Sequence, residues 1–230
     1  MFFITTNESN GLDEYASLVF LVKHYSNYFE SKKSKFRTEE KFLKHVFNKT
    51  QAKLFKKYEL YRGLDYFVSN GVFNCISGTA FYAMILKDLG FEYEIIETPY
   101  HTFLEISGED NIYIFESTDR AFGFISSEKK IEKRKQEFLN DSDLNNIKGL
   151  GFKENKIEDS FLRNINLKQL AGLQYYNSGI VEFNNANYQE AAILLKKAAI
   201  LYPVDRIIAL KVISEQMSNS TVQISDLTRP

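Results

Sequence analysis

The chain has no tryptophan, one cysteine and three prolines in 230 residues. With Cys75 alone, an internal disulfide is impossible, and a cysteine-based metal site could use only one thiolate. So few prolines argue for substantial helix and few rigid linkers. No apolar run approaches the length that crosses a bilayer, so no transmembrane helix is expected. Neither sign of charge dominates: 29 basic residues face 30 acidic ones. That balance gives no general attraction to nucleic acid or to an anionic membrane. The opening residues MFFITTNESN lack the basic and apolar regions of a secretory signal. A cytoplasmic location is expected, with an exported parent left open if the chain is trimmed. Nothing resembles a phosphate loop, a zinc cluster or a dinucleotide fingerprint, so neither cofactor nor metal is expected.

What is present is an ordinary globular composition, rich in aromatics: 20 Phe and 14 Tyr. From Leu12 to about Phe29, apolar residues recur at helical spacing. A second helix is expected from Thr38, an N-cap followed by Glu39 and Glu40, running through Phe42, Val46, Leu54, Phe55 and Tyr58, with breaks possible near Asn48 and Gly63. Asn70-Gly71 is a turn. Asn74 and Gly90 then bracket a helix that is apolar nearly all round and therefore buried. Three strands follow: Tyr93–Glu97, Tyr100–Ile106 and Asn111–Glu116, the last two an antiparallel hairpin. Glu128–Leu139 is expected to be an exposed helix, with loop or linker beyond it. The fold class is α+β over residues 1–150, followed by a small α-helical segment over 160–220.

Three residues in this order can carry chemistry. Cys75 stands at the first helical position after Asn74, where backbone N–H groups and the helix dipole favour a thiolate. The Cys75 backbone N–H could also bind a developing oxyanion, and Asn74 could add a side-chain donor, although its plain role is the N-cap. His101, at the start of the second strand, could take the thiol proton and return it to a leaving group. An acid would orient the imidazole. If residues 107–110 form the hairpin loop, Ile106 pairs with Asn111 and His101 falls opposite Glu116; Asp119 is the second choice. Alone, Cys75 reads as a structural thiol and His101 as an ordinary strand histidine; together with Glu116 they point to catalysis. His24 and His45 have no metal-ligand spacing, and the tyrosines at 58, 61 and 66 read as core.

The segments Asn74-Cys75-Ile76-Ser77-Gly78-Thr79-Ala80, Thr98-Pro99-Tyr100-His101 and Phe115-Glu116-Ser117-Thr118-Asp119 resemble the transglutaminase-like superfamily, relatives of papain-type cysteine peptidases. The resemblance covers roughly residues 60–125. Glu116 takes the place of the usual aspartate, and the tryptophan common near such sites is missing. The resemblance implies acyl transfer: Cys75 attacks an amide or peptide carbon, a thioester forms, and water or an amine resolves it. The implied substrate is a protein or peptide.

Further on, Tyr175, Gly179, Tyr188, Ala191, Leu195, Ala198 and Pro203 are similar to the large, small and terminating positions of a tetratricopeptide repeat of about 34 residues. One repeat cannot bury a continuous core. It should pack on the first domain, on the helix that follows, or on a protein partner. The rival functional expectation is a degenerate transglutaminase-like scaffold that holds a partner through this repeat.

Overall fold

The computed structural model describes residues 11–140 and 162–227. Two compact units divide after Leu167. The first is α+β. In chain order it holds α1 (Gly11–Lys33), α2 (Glu39–Lys53), β1 (Lys57–Tyr58), α3 (Leu64–Asn70), β2 (Val72–Phe73) and α4 (Cys75–Asp88). Then follow β3 (Glu92–Glu97), β4 (Thr102–Ser107), β5 (Ile112–Phe115), β6 (Phe124–Ile125), α5 (Glu128–Asn140) and β7 (Arg163–Ile165). Strands β6-β5-β4-β3-β7 form one antiparallel sheet, and β1 pairs in parallel with β2. Because β7 closes an edge of that sheet, the first unit extends past residue 150, the limit expected from the sequence. The expected linker at residues 141–156 lies outside the described residues.

Thr38 caps α2, its hydroxyl accepting from Lys41 N–H at 3.3 Å. The helix stops at Lys53 rather than running to Tyr58 as expected. The chain beyond it is drawn into a ladder instead: Lys56 N–H donates to the Gly71 carbonyl at 2.9 Å and Tyr58 lies beside Phe73. Gly71 closes α3 at φ 73°, and a Cβ there would stand 2.6 Å from the Leu54 carbonyl oxygen. Only glycine fits that conformation and that space.

Helix α4 is buried along most of its length, as its all-round apolar sequence requires. Tyr82, fully buried, stacks on Phe47 at 5.5 Å and meets Phe115 of β5 edge-on at 5.0 Å. Each such ring contributes on the order of 2 kcal/mol relative to exposure. Strand alternation sends Ile96, Phe103 and Ile114 to the opposite face, where Ile131 and Phe138 of α5 cover them.

In the β4–β5 hairpin, Ser107 pairs with Ile112 and Ile106 with Tyr113, so the expected Ile106–Asn111 pairing is displaced by two places. The loop has slid one residue along, to 108–111, closed by Gly108 N–H on the Asn111 carbonyl. Glu39 of α2 accepts from Glu109 N–H at 3.1 Å and holds the loop there. A slip of two leaves every side chain on its original face.

The second unit holds α6 (Leu167–Asn184), α7 (Tyr188–Leu201) and α8 (Asp205–Leu227). A Cβ on Gly179 would stand 2.7 Å from Leu195 Cγ, so glycine lets α6 and α7 approach. Ala191 and Leu195 form a core with Leu210 of α8, with Tyr176, Ile180 and Phe183 packed against it. The helix that follows the hairpin therefore supplies packing that the single repeat lacks.

Candidate active site

Cys75 opens α4 and is 5% exposed. Asn74 anchors this end through a capping box: its Oδ1 accepts from Ser77 N–H at 2.8 Å, and Ser77 Oγ accepts from Asn74 N–H at 2.9 Å. Its Nδ2 donates to the Leu60 carbonyl at 3.1 Å. Asn74 is fully buried with both ends of its amide engaged. Its side chain builds the helix terminus, with its oxygen on Ser77 and one Nδ2–H on Leu60. The N–H of a first-turn residue such as Cys75 has no partner within its helix.

His101 sits just before β4, in a tight turn. Thr98 N–H donates to the His101 carbonyl at 2.8 Å, and His101 N–H donates to Thr98 Oγ1 at 3.0 Å. The imidazole stacks on Phe138 at 5.1 Å. Its Nε2 lies 2.9 Å from Glu116 Oε1, with the oxygen off the ring N–H direction, so the contact is an ion pair more than an aligned hydrogen bond. The Cys75 side chain lies near enough to the ring to interact with it electrostatically. Burial pushes the imidazole towards its neutral form, but the Glu116 charge and the contacts with Cys75 and Glu116 outweigh this and raise its pKa to about 10.

Glu116 follows β5 and is 3% exposed. Continuing the observed register one place puts it opposite Phe103, two residues from His101 and on the same face. The pair is therefore diagonal rather than directly opposite as expected. Diagonal neighbours lie about 7–8 Å apart, within reach of long side chains. The extra methylene of Glu over Asp suits that span. Thr118 fixes the carboxylate, with N–H to Oε1 at 2.7 Å and Oγ1 within 3.0 Å of both oxygens. Burial pushes the Glu116 carboxyl up; the His101 charge and contact and the Thr118 hydrogen bonds overcome it and hold it below the usual range.

Asp119 is placed elsewhere. Its Oδ1 accepts from Ala121 N–H at 3.2 Å and Phe122 N–H at 2.8 Å, and its Oδ2 pairs with Arg134 of α5 at 3.1 Å. It caps a turn and ties that turn to α5, while Glu116 alone of the two acids meets the ring.

The assembly also depends on Gly78, whose small size in the sequence marks a point of close approach, and on Gln51, which carried no signal there. A Cβ on Gly78 would stand 2.6 Å from both Cβ and Oγ of Ser117, so this glycine lets the chain after Glu116 lie against α4 one turn beyond Cys75. Gln51 Nε2 holds the same segment through the Ser117 carbonyl at 2.7 Å. Tyr58 and Tyr66 are 45% and 41% exposed, which corrects their expected place in the core: β1 lies at the surface, and α3 turns Tyr66 outward while burying Leu64 and Phe67. His24 is exposed, and His45 lies among Tyr28, Phe29 and Phe36. Among the described residues no group of three His, Cys, Asp or Glu could hold a metal ion, and no helix is long and apolar enough to cross a membrane.

No protein-family model, curated protein or solved structure matches the chain. The site must be read from its own geometry.

Proposed function

We propose that the protein uses Cys75 as a nucleophile in acyl transfer to, or hydrolysis of, an amide or peptide bond. The observation that carries this is the His101 ring, 2.9 Å from a buried Glu116 carboxylate and near enough to Cys75 to interact with it electrostatically. A pair bound only for stability needs no thiol, and a structural thiol needs no histidine. In the proposed reaction the Cys75 sulfur forms a bond to the acyl carbon and the amine leaves with a proton from His101. The resulting thioester is cleaved by water or by an acceptor amine, which gives up a proton to the same ring. The transglutaminase-like resemblance belongs with this proposal: it rests on the order Cys75, His101, Glu116 and on a Cys-bearing helix beside an antiparallel sheet.

The test is p-nitrophenyl acetate with the full chain, followed by release of p-nitrophenolate and by intact mass. The expected result is a burst of phenolate and one acetyl group on Cys75, both absent from Cys75→Ala. Turnover identical in the two proteins would overturn the proposal.

The second reading, a partner-binding scaffold, draws on the exposure of Ile193 and Ile200 on α7 and Ile208 and Val212 on α8. It predicts that bound proteins survive Cys75→Ala and are lost when residues 166–217 are deleted; retention after the deletion removes it.

A further inference from the structure

An acyl carbon attacked by sulfur becomes tetrahedral, and its oxygen becomes an anion that needs donors already in place. Asn74, the amide next to Cys75, is held in the helix cap by Ser77 and Leu60. Tyr58 is an exposed polar side chain on the ladder that leads into Cys75. Strand β1 runs parallel to β2 with Tyr58 opposite Phe73, two residues before Cys75. Glu59 N–H donates to the Phe73 carbonyl at 2.9 Å and locks that register. The Tyr58 ring stands edge-on to Phe73 at 6.0 Å. It is 45% exposed where Cys75 is 5% exposed. Its phenol is close enough to feel the charges of Cys75 and Glu116. Burial and those charges push it to about 12, so it keeps its proton at every working pH.

We propose that the Tyr58 hydroxyl is the side-chain donor to the oxyanion formed when Cys75 attacks an acyl carbon, acting with the Cys75 backbone N–H. This rests on Cys75 being a nucleophile. Tyr58 is then a catalytic residue contributed by the short β1–β2 ladder, and the ladder's function is to hold a phenol against the helix terminus. The role also accounts for an aromatic residue left half in solvent beside a buried thiol.

Two probes of the full chain separate this role from others. With p-nitrophenyl acetate, the Sγ–C bond forms, the C–O bond to nitrophenolate breaks, the leaving group takes the bonding pair, and the thiol proton passes to solvent through His101. A tetrahedral oxyanion lies on that path. With iodoacetamide, sulfur displaces iodide at a saturated carbon and no oxyanion arises. Tyr58→Phe removes only the hydroxyl and keeps the ring on Phe73. The expected result is acylation slowed by on the order of 100-fold, with alkylation of Cys75 unchanged. Equal slowing of both reactions overturns the proposal, because Tyr58 would then act on the thiol or the fold. Unchanged acylation also overturns it. If wild-type Cys75 is alkylated in a His101-dependent way but never acylated, the nucleophile stands and the Tyr58 role falls. If neither reagent modifies it, both fall together.

Discussion

Glu116→Gln replaces a buried carboxylate with an amide of the same shape. The carboxylate lies 2.9 Å from His101 Nε2 and is the leading cause raising the imidazole against its burial. Without the charge, burial is opposed only by the contact with Cys75 and the amide oxygen, and we expect the ring to titrate below its ordinary 6.5. From about 10 to below 6.5 is a fall of more than about three units. At pH 8 the charged fraction drops from about 99% to under about 5%. The sign of the stability effect follows. His101, raised on folding, contributes fully below about 6.5, and its contribution drains away as pH rises to about 10. Glu116, lowered on folding, contributes above its ordinary 4.5 and is lost as pH falls through its folded value. The wild type should therefore exceed the variant most between about pH 4.5 and 6.5, by on the order of 3 kcal/mol for a broken buried pair. The two should converge near pH 10. In a unit of this size the melting difference is about 6–12 °C. The assay is NMR titration of the three histidine rings, with thermal melts across the same range. A His101 ring that titrates alike in both proteins would refute the reasoning.

Other variants probe the supports. Glu116→Asp restores the residue usual in the resembled superfamily, yet the diagonal register predicts that its shorter carboxylate loses contact and that His101 titrates between the wild-type and Gln values; a wild-type titration contradicts this. Gly78→Ala puts a methyl 2.6 Å from Ser117, about 1 Å inside ordinary contact, so the segment after Glu116 must move. Acylation should fall by up to about 100-fold at a cost of about 1–3 kcal/mol in stability, and a wild-type rate with a wild-type melt counts against the packing account. Asp119→Asn should cost up to about 1 kcal/mol through Arg134 and leave the His101 titration alone; a shifted titration would make Asp119 part of the site. Ala186 has φ 60° at the end of α6, so Ala186→Gly should stabilise the helical unit by about 1 kcal/mol in denaturant melts, and destabilisation would contradict that.

Much of the site was legible because its parts are local. Asn74 as a cap and Cys75 at the first helical position follow from the type of residue that begins a buried helix. The choice of Glu116 over Asp119 survived a register error because a slip of two keeps parity. What was not legible depends on contacts distant in sequence. The end of α2 at Lys53 is set by pairing with residues around Gly71, and the hairpin loop by Glu39, some 70 residues away. The small Gly78 marks a point of close approach in the sequence, but that the segment after Glu116 fills it is set by the tertiary fold. The exposure of Tyr58 was missed because a two-residue strand is too short to show alternation. In the second unit, small residues at helical spacing marked Gly179 and Ala191 correctly as points of close approach.

The coupling of the sulfur to the ring is tested most directly by the rate at which iodoacetamide alkylates Cys75 at neutral pH, in wild type and in His101→Ala. The chain's single cysteine makes the label unambiguous. We predict rapid alkylation of the wild type, despite 5% exposure, and a fall of about tenfold or more in the variant, which loses the imidazolium that favours a thiolate beside it. Slow alkylation at one common rate would contradict the account.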